Sequence, residues 1–225
     1  MKIYPVYDAI DLEHFSTAGE KLDLDSIAGL PAPAPGTLRV GLLATMARWK
    51  GHKTFLRALS LVPEGVHIRG YIIGGALYQT DGSQHSLEEL RSEAAALGLE
   101  EKVGFTGFVP DAASAMRALD IVVHASTEPE PFGLVIAEAM ACGRALIASE
   151  AGGAAEIINA GTDALGHPPG DSEVLAERIT ELALDADLRK RLGQAGRETA
   201  HRRFDRARLA TELIPIYNEV LSSRN

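Results

Sequence analysis

Glu130 and Glu138 stand eight positions apart in STEPEPFGLVIAEAMACGRALIAS, residues 126–149, with the corner Pro131-Phe132-Gly133 between them. Pro and Gly in that order let a helix begin near Gly133 and Leu134, and the first N–H groups of such a helix have no partner inside it. A helix end of this kind attracts phosphate through direct hydrogen bonds and through its positive pole. An acid beside that end would repel the same phosphate, so Glu130 is expected to face neutral hydroxyls. A carboxylate can accept two hydrogen bonds from neighbouring hydroxyls, as a ribose or a hexose presents them. Glu138, inside the helix and near the same face, would take a second set.

Hydroxyls at both ends with phosphate between describe a nucleotide sugar. Cations must then come from elsewhere, and Arg48, Lys50 and Lys53 in ARWKGHKTF are placed to neutralise a diphosphate. Metal chemistry is not expected. Asp23 and Asp25 have the Asp-x-Asp spacing of a metal-nucleotide site, but hard cations need more converging oxygens than two. The seven histidines show no pair at ligand spacing. His124, inside IVVHAS, reads as a hydrogen-bonded histidine at a strand end rather than a base. A glycosidase pair needs carboxyls on opposed sides of one bond, roughly 5–10 Å apart, which acids beside one helix start fit poorly. No G-x-G-x-x-G follows a strand, which excludes the usual dinucleotide-dependent oxidoreductase.

The elements that must position these residues alternate. Apolar, β-rich runs at 38–44, 66–74, 103–108, 120–126 and 144–149 are separated by amphipathic segments at 52–62, 86–98, 112–118 and 133–142. Runs that are apolar throughout suit strands covered on both faces, so the fold expected is α/β: a Rossmann-like three-layer domain with a parallel sheet and C-terminal helices. From 171 onward the pattern is wholly helical, with Asp171, Glu173 and Glu177 marking one start. In such sheets ligands bind beyond the carboxyl ends of the strands, where the Gly-rich and charged segments fall. Residues 1–37 read as an N-terminal arm ending in the stiff linker GLPAPAPGT, and 38–225 as the domain expected to bind the nucleotide sugar.

Composition bounds the rest. At 225 residues, 46% hydrophobic and 24% charged, the chain is an ordinary globular protein. The net charge of −9 disfavours nucleic acid. RKRLGQAGRETAHRRFDRAR, residues 189–208, is locally basic, a candidate peripheral membrane contact or a solvated helix face. One cysteine, Cys142, rules out an intramolecular disulfide and reads as a small buried apolar residue. With no leader pattern and no spanning apolar window, a cytoplasmic location is expected.

The order WKGHKTFLRAL, VGFTGFVPD, LDIVVHASTEPEPFGLVIAEAMACGRALIAS, AGGAAEII and HPPGDSEVLAERI, from about residue 8 to residue 220, resembles the donor-binding C-terminal domain of retaining GT-B type glycosyltransferases of group 1. The resemblance implies that Glu130 holds donor-sugar hydroxyls and that Phe132, Gly133 and Leu134 present backbone N–H groups to sugar and diphosphate. It implies that Glu138 binds ribose, that Gly107, Phe108 and Val109 face the nucleobase, and that Lys50 is the phosphate-binding lysine. No bound metal or other cofactor is implied, and the acceptor-binding N-terminal domain is expected to lie outside this chain. Thr45 stands where the family has an arginine, and Arg48 is the expected substitute. Asp8-Ala9-Ile10-Asp11 replaces the family's NG-x-D turn. A donor half acting in sugar transfer and a nucleotide-sugar binding module without turnover are both consistent with these residues.

Overall fold

The computed structural model describes residues 3–77 and 82–222. Strands β1 (Leu38–Leu43), β2 (Ile68–Ile73), β3 (Val103–Gly107), β4 (Ile121–His124), β5 (Ala145–Ser149) and β6 (Leu165–His167) form one sheet. Their order is β3-β2-β1-β4-β5-β6, and every pairing is parallel. Every residue of β4 is buried, Val122 on one face of the sheet and Ile121 and Val123 on the other. A strand packed on both faces has no solvent side, and this is why its sequence is apolar without alternation.

The helices are α1 (Leu24–Ala28), α2 (His52–Leu61), α3 (Leu87–Ala96), α4 (Ala112–Ala118), α5 (Leu134–Ala141), α6 (Gly153–Ile157), α7 (Ser172–Leu184), α8 (Ala186–Arg203) and α9 (Arg208–Ser222). On one face Phe55, Leu56, Leu90, Leu175 and Ile179 from α2, α3 and α7 pack with Val40, Leu42, Ile121 and Val123. On the other, Met116, Ile136, Met140 and Ala200 from α4, α5 and α8 pack with Tyr71, Val122 and Leu146. Local chemistry starts the helices: Ser86, Asp111, Asp171 and Asp185 each accept backbone N–H groups of the following turn. The three-layer α/β expectation is met, and the Asp171 start is observed.

Helices α1 and α6 and strand β6 were not expected. They have five, five and three residues, shorter than the window over which an apolar period declares itself. The arm is held against the domain. Ile10 and Leu24 are buried in its core, Ile10 donates its N–H to the Phe204 carbonyl at 2.8 Å, and Arg206 returns one to Ile10 at 3.1 Å. Residues 29–37 carry no helix or strand. Neither aspartate of the Asp-x-Asp pair is free: Asp23 caps α1, and buried Asp25 accepts hydrogen bonds from Arg39 at 2.8 Å and from Arg69 and the Tyr71 hydroxyl at 2.6 Å. Cys142 is buried, and burial pushes its thiol up to about 11. Among the described residues no helix is long and apolar enough to cross a membrane.

β1 and β4 are neighbours from which the chain departs in opposite directions, to β2 and to β5, so a crevice opens beyond their carboxyl ends. Asp25 lies at the other end of the sheet, beside Arg39 in the first turn of β1. Asp25→Ala leaves two arginines without their buried partner and is expected to lower the unfolding free energy by about 3–5 kcal/mol. Urea denaturation checks this, and a loss under about 1 kcal/mol would show that this contact does not anchor the arm.

Candidate functional site

The loops that follow β1 and β4 are fused at this crevice. The Thr127 N–H reaches the Trp49 carbonyl at 2.8 Å. Gly51 sits at φ +75°, and a Cβ there would lie 1.8 Å from the Ala125 carbonyl oxygen, so only glycine permits the approach. This brings Lys50 onto Glu130: its Nζ donates to Oε1 at 2.8 Å. His124 Nε2 lies 2.8 Å from the same oxygen, and the Ser126 hydroxyl donates to it as well. An ionised carboxylate only accepts, so the His124 Nε2 carries hydrogen, while its buried Nδ1 has no partner. The expected hydrogen-bonded strand-end histidine is what the structure places here.

Glu130 is 7% exposed, and burial alone would favour its neutral form. Hydrogen bonds from His124, Lys50 and Ser126 outweigh that and hold its carboxyl down at about 2. The Glu130 backbone is fixed too. Its carbonyl accepts the Gly153 N–H at 2.7 Å, and a Cβ on Gly153 would lie 2.0 Å from the Pro131 carbonyl oxygen. Glu130 Oε2 makes no hydrogen bond among the described residues, so one face of an ionised carboxylate is left to accept.

Helix α5 begins at Gly133, as expected. The first described bond of that turn runs from the Ile136 N–H to the Gly133 carbonyl at 2.9 Å. Among the described residues the N–H groups of Gly133, Leu134 and Val135 reach no acceptor, which leaves the helix end able to take an anion. The Phe132 ring turns into the core, 6.1 Å from Tyr7 and 5.5 Å edge-on to Phe204, and locks the corner. Leu134 is half-exposed. Glu138 is half-buried and has no hydrogen bond or ion pair among the described residues; burial pushes its carboxyl up to about 7. Gly107, Phe108 and Val109 lie at the carboxyl end of β3: the Gly107 carbonyl accepts the Gly74 N–H at 2.9 Å, the Phe108 ring is 73% exposed, and Val109 packs on the core.

Arg48 and Lys53 are not part of this group. Arg48 donates to Glu89 at 3.2 and 3.3 Å and to the Gly82 carbonyl at 2.8 Å, and Lys53 lies 3.1 Å from Glu89 and 3.3 Å from Glu93. Hydrogen bonds from His85 first, then Lys53 and Arg48, hold the Glu89 carboxyl down at about 2, so α3 captures both cations. The Arg48 guanidinium, expected as the substitute beside Lys50, is engaged by Glu89 and the Gly82 carbonyl in this structure. Thr45, at the arginine's position, has a buried hydroxyl with no partner. Sequence reasoning missed Ser126 and the propping role of Gly153. Ser126 lies four residues before Glu130, a spacing that signals nothing in a loop.

The sequence profile of the glycosyl transferases group 1 family matches residues 34–199. A phosphatidyl-myo-inositol mannosyltransferase of Mycobacterium leprae is 38% identical over 140 residues, 60% of this chain and 36% of its own length. A lipopolysaccharide core biosynthesis glycosyltransferase, LpsD, of Rhizobium meliloti is 30% identical over 92% of this chain and 60% of its own length. Among solved structures, HepE of Anabaena in complex with UDP and glucose superposes with a TM-score of 0.81 at 32% identity, over 97% of this chain and 56% of that one. The C-terminal domain of a group 1 glycosyl transferase, LpcC, of Francisella tularensis superposes with a TM-score of 0.73 at 28% identity, over 88% of this chain and 99% of that domain. The chain thus spans well under two thirds of the full-length relatives it matches.

Glu138 carries a measurable signature. Its folded pKa of about 7 exceeds the ordinary glutamate value of 4.5, so between those pH values the folded state holds a proton that the unfolded state has lost, and stability falls as pH rises through the window. Glu138→Gln removes that dependence. It is expected to flatten the decline and to raise stability at pH 8 by about 1–3 kcal/mol. Urea melts of both proteins at pH 5 and pH 8 check this, and parallel pH dependences would show that Glu138 ionises normally.

Proposed function

Because the chain belongs to the glycosyl transferases group 1 family, we propose that it is the donor half of a sugar transferase, taking a glycosyl group from a nucleoside diphosphate sugar with retained anomeric configuration. The observation that carries the reading is the buried Lys50–Glu130 pair beside the open start of α5. The diphosphate lies across the free N–H groups of Gly133, Leu134 and Val135 and close to Lys50. Glu130 offers Oε2 to sugar hydroxyls, and Glu138 accepts from the ribose. Phe108, with Gly107 and Val109, forms the edge against the base. The UDP and glucose named with the Anabaena neighbour support this class of donor.

In the transfer the bond from the anomeric carbon to the diphosphate oxygen breaks, one to an acceptor hydroxyl oxygen forms, and that hydroxyl's proton passes to the departing diphosphate. Negative charge builds on the departing diphosphate, where fixed dipoles and a cation act without rearranging. Lys50 and the α5 amides supply them, so this reading requires no metal. The acceptor and the groups that bind it belong to a domain beyond this chain, since the chain spans 56% of the Anabaena enzyme but 99% of the isolated Francisella domain. That coverage also favours a second reading for the chain alone: it binds donor and does not turn it over.

A thermal-shift panel of UDP-, GDP- and ADP-sugars identifies the nucleotide, because a ligand bound only by the native form raises the melting temperature. Calorimetry with the best of them is expected to show Lys50→Ala and Glu138→Ala each weakening binding by about 1–3 kcal/mol. Unchanged affinity in either variant removes that residue from the site. The carboxylate is the hydroxyl acceptor, so wild-type affinity rises as pH passes upward through about 7, and Glu138→Gln abolishes that slope.

Chelator separates this reading from a metal-dependent one. Donor binding, and donor hydrolysis if any is detected, are expected to be unchanged by EDTA. A strict Mg²⁺ requirement would mean that the diphosphate is neutralised by an ion instead of by Lys50 and the helix end.

A further inference from the structure

We propose a second anion site, for a phosphate group, at the edge of the sheet opposite the donor crevice. A pocket of about 470 Å³ opens between the arm, the turn that leads into β5 and the first turns of α8. It is lined by Arg144, Arg189, Lys190 and Arg197, with Thr17 and Asp120 beside them. Asp120 precedes β4 and Arg144 precedes β5, so the pocket sits at the amino ends of these strands, whereas Ser126 and Glu130 follow the carboxyl end of β4. Along β4, a strand of four residues, the two ends are about 13 Å apart.

The charge at this pocket is not neutralised within the domain. Seven other arginines reach a carboxylate, Arg39 and Arg69 on Asp25, Arg48 on Glu89, Arg117 on Asp111, Arg178 on Glu181, Arg206 on Asp11 and Arg208 on Glu212, while Arg202 and Arg203 bond the Thr199 hydroxyl and the carbonyls of Ile157 and Glu156. Among the described residues none of the four cations here reaches a carboxylate within ion-pair distance. Arg144 donates to the carbonyls of Cys142 at 3.0 Å and Leu119 at 3.1 Å, Arg189 to those of Leu182 and, at 3.0 Å, Ala183, and Arg197 to the Thr17 hydroxyl. These bonds fix the guanidinium groups but cancel no charge. They use Nε and Nη1 of Arg144 and Nη1 alone of Arg189 and Arg197, out of five donors each. Among the described residues the Lys190 side chain makes no hydrogen bond. The one acid in the lining, Asp120, already accepts the Arg39 N–H at 2.7 Å.

Three of these four cations are half-buried, in a protein whose net charge is −9. Partly desolvated cations held side by side repel one another, and a phosphate between them would replace repulsion with charge-assisted hydrogen bonds. The phosphate can belong to a small soluble molecule or to the head group of an anionic lipid. Leu184, two residues before the pocket-lining Ala186, is 70% exposed, an apolar group at the rim such as a lipid surface would cover.

Two measurements on the chain test the site and tell the sources apart: calorimetric titration with inorganic phosphate, and sedimentation with phosphatidylcholine vesicles with and without phosphatidic acid. Lys190→Glu with Arg197→Gln is expected to weaken the binding seen in either assay by about tenfold or more, the loss of one charge-assisted bond at the least. Lys190→Ala, at an exposed side chain with no hydrogen bond, leaves the fold intact and should weaken it in the same direction. Lys50→Ala removes only phosphate held in the donor crevice and should leave the component lost with the Lys190 variants in place. Binding of free phosphate assigns a soluble ligand; binding only to phosphatidic acid vesicles assigns a head group. No binding to either, or binding that survives both Lys190 variants, or binding lost only with Lys50→Ala, overturns the site. Because the donor reading is tested by nucleotide sugars and by Lys50 and Glu138, either can fail while the other stands.

Discussion

A carboxylate buried at a sheet edge must be supplied with donors, and the site is organised around meeting that demand at Glu130. One donor comes from the loop after β1, one from the last residue of β4 and one from the loop after β4, and all three converge on Oε1. The Lys50 donor can be present only where β1 and β4 are neighbours and their loops touch. The touching depends on Gly51, where any side chain would strike the Ala125 carbonyl. The position of Gly153 against the Pro131 carbonyl fixes the other side of the corner. The strand order of the fold and the ionisation of one side chain are therefore a single fact seen at two scales. Removing a donor would act on the charge of Glu130 as well as on its position.

The two glutamates, identical in type and eight residues apart, are driven in opposite directions by their surroundings. Glu130 is buried yet ionised, because hydrogen bonds from His124, Lys50 and Ser126 outweigh the cost of burial. Glu138 is only about half ionised at pH 7, because burial pushes its carboxyl up and, among the described residues, nothing donates to it. A half-buried carboxyl with no partner is a local cost to the folded state, of the kind kept where a ligand completes the bonding. The free amides of Gly133, Leu134 and Val135 have the same character. Stability has been held back in those places that a ligand bearing hydroxyls and phosphate would fill.

What the sequence made legible follows from locality. The long strands declared themselves by unbroken apolar runs, and α7 by Asp171 and the acids behind it. Glu130, Glu138 and the start of α5 fell within one stretch of chain, so their relation could be worked out from helix geometry alone. Arg48 could not be placed that way. Its partner Glu89 lies 41 residues on, and only the packing of α3 beside the loop after β1 shows that the acid captures it. Ser126 was illegible for the converse reason: it is near Glu130 in sequence, but in a loop no period says which way a hydroxyl turns. Residues 1–37 read as an arm because the Pro-rich stretch denies helix and ladder bonds, while the buried Asp25 that holds it depends on Arg39, Arg69 and Tyr71 from two strands.

These placements give the starts of β1 and β2 and the carboxyl end of the sheet unlike characters. At those starts Asp25 is saturated by two guanidinium groups and a phenol, and the arm, α1 and the two strands are bound into one unit. At the carboxyl end the backbone is equally well fixed, by Gly51, Gly153 and the Phe132 ring, but the polar groups it presents are left unsatisfied. Rigid support beneath unsatisfied groups is the condition for a preorganised site, because the ligand then meets donors and acceptors that need not be reoriented. Had the unsatisfied groups lain on mobile backbone, water or neighbouring side chains would have closed over them. The exposed Phe108 ring belongs to this logic, as an apolar face at the rim of a polar edge that gains contacts only when something planar is laid against it.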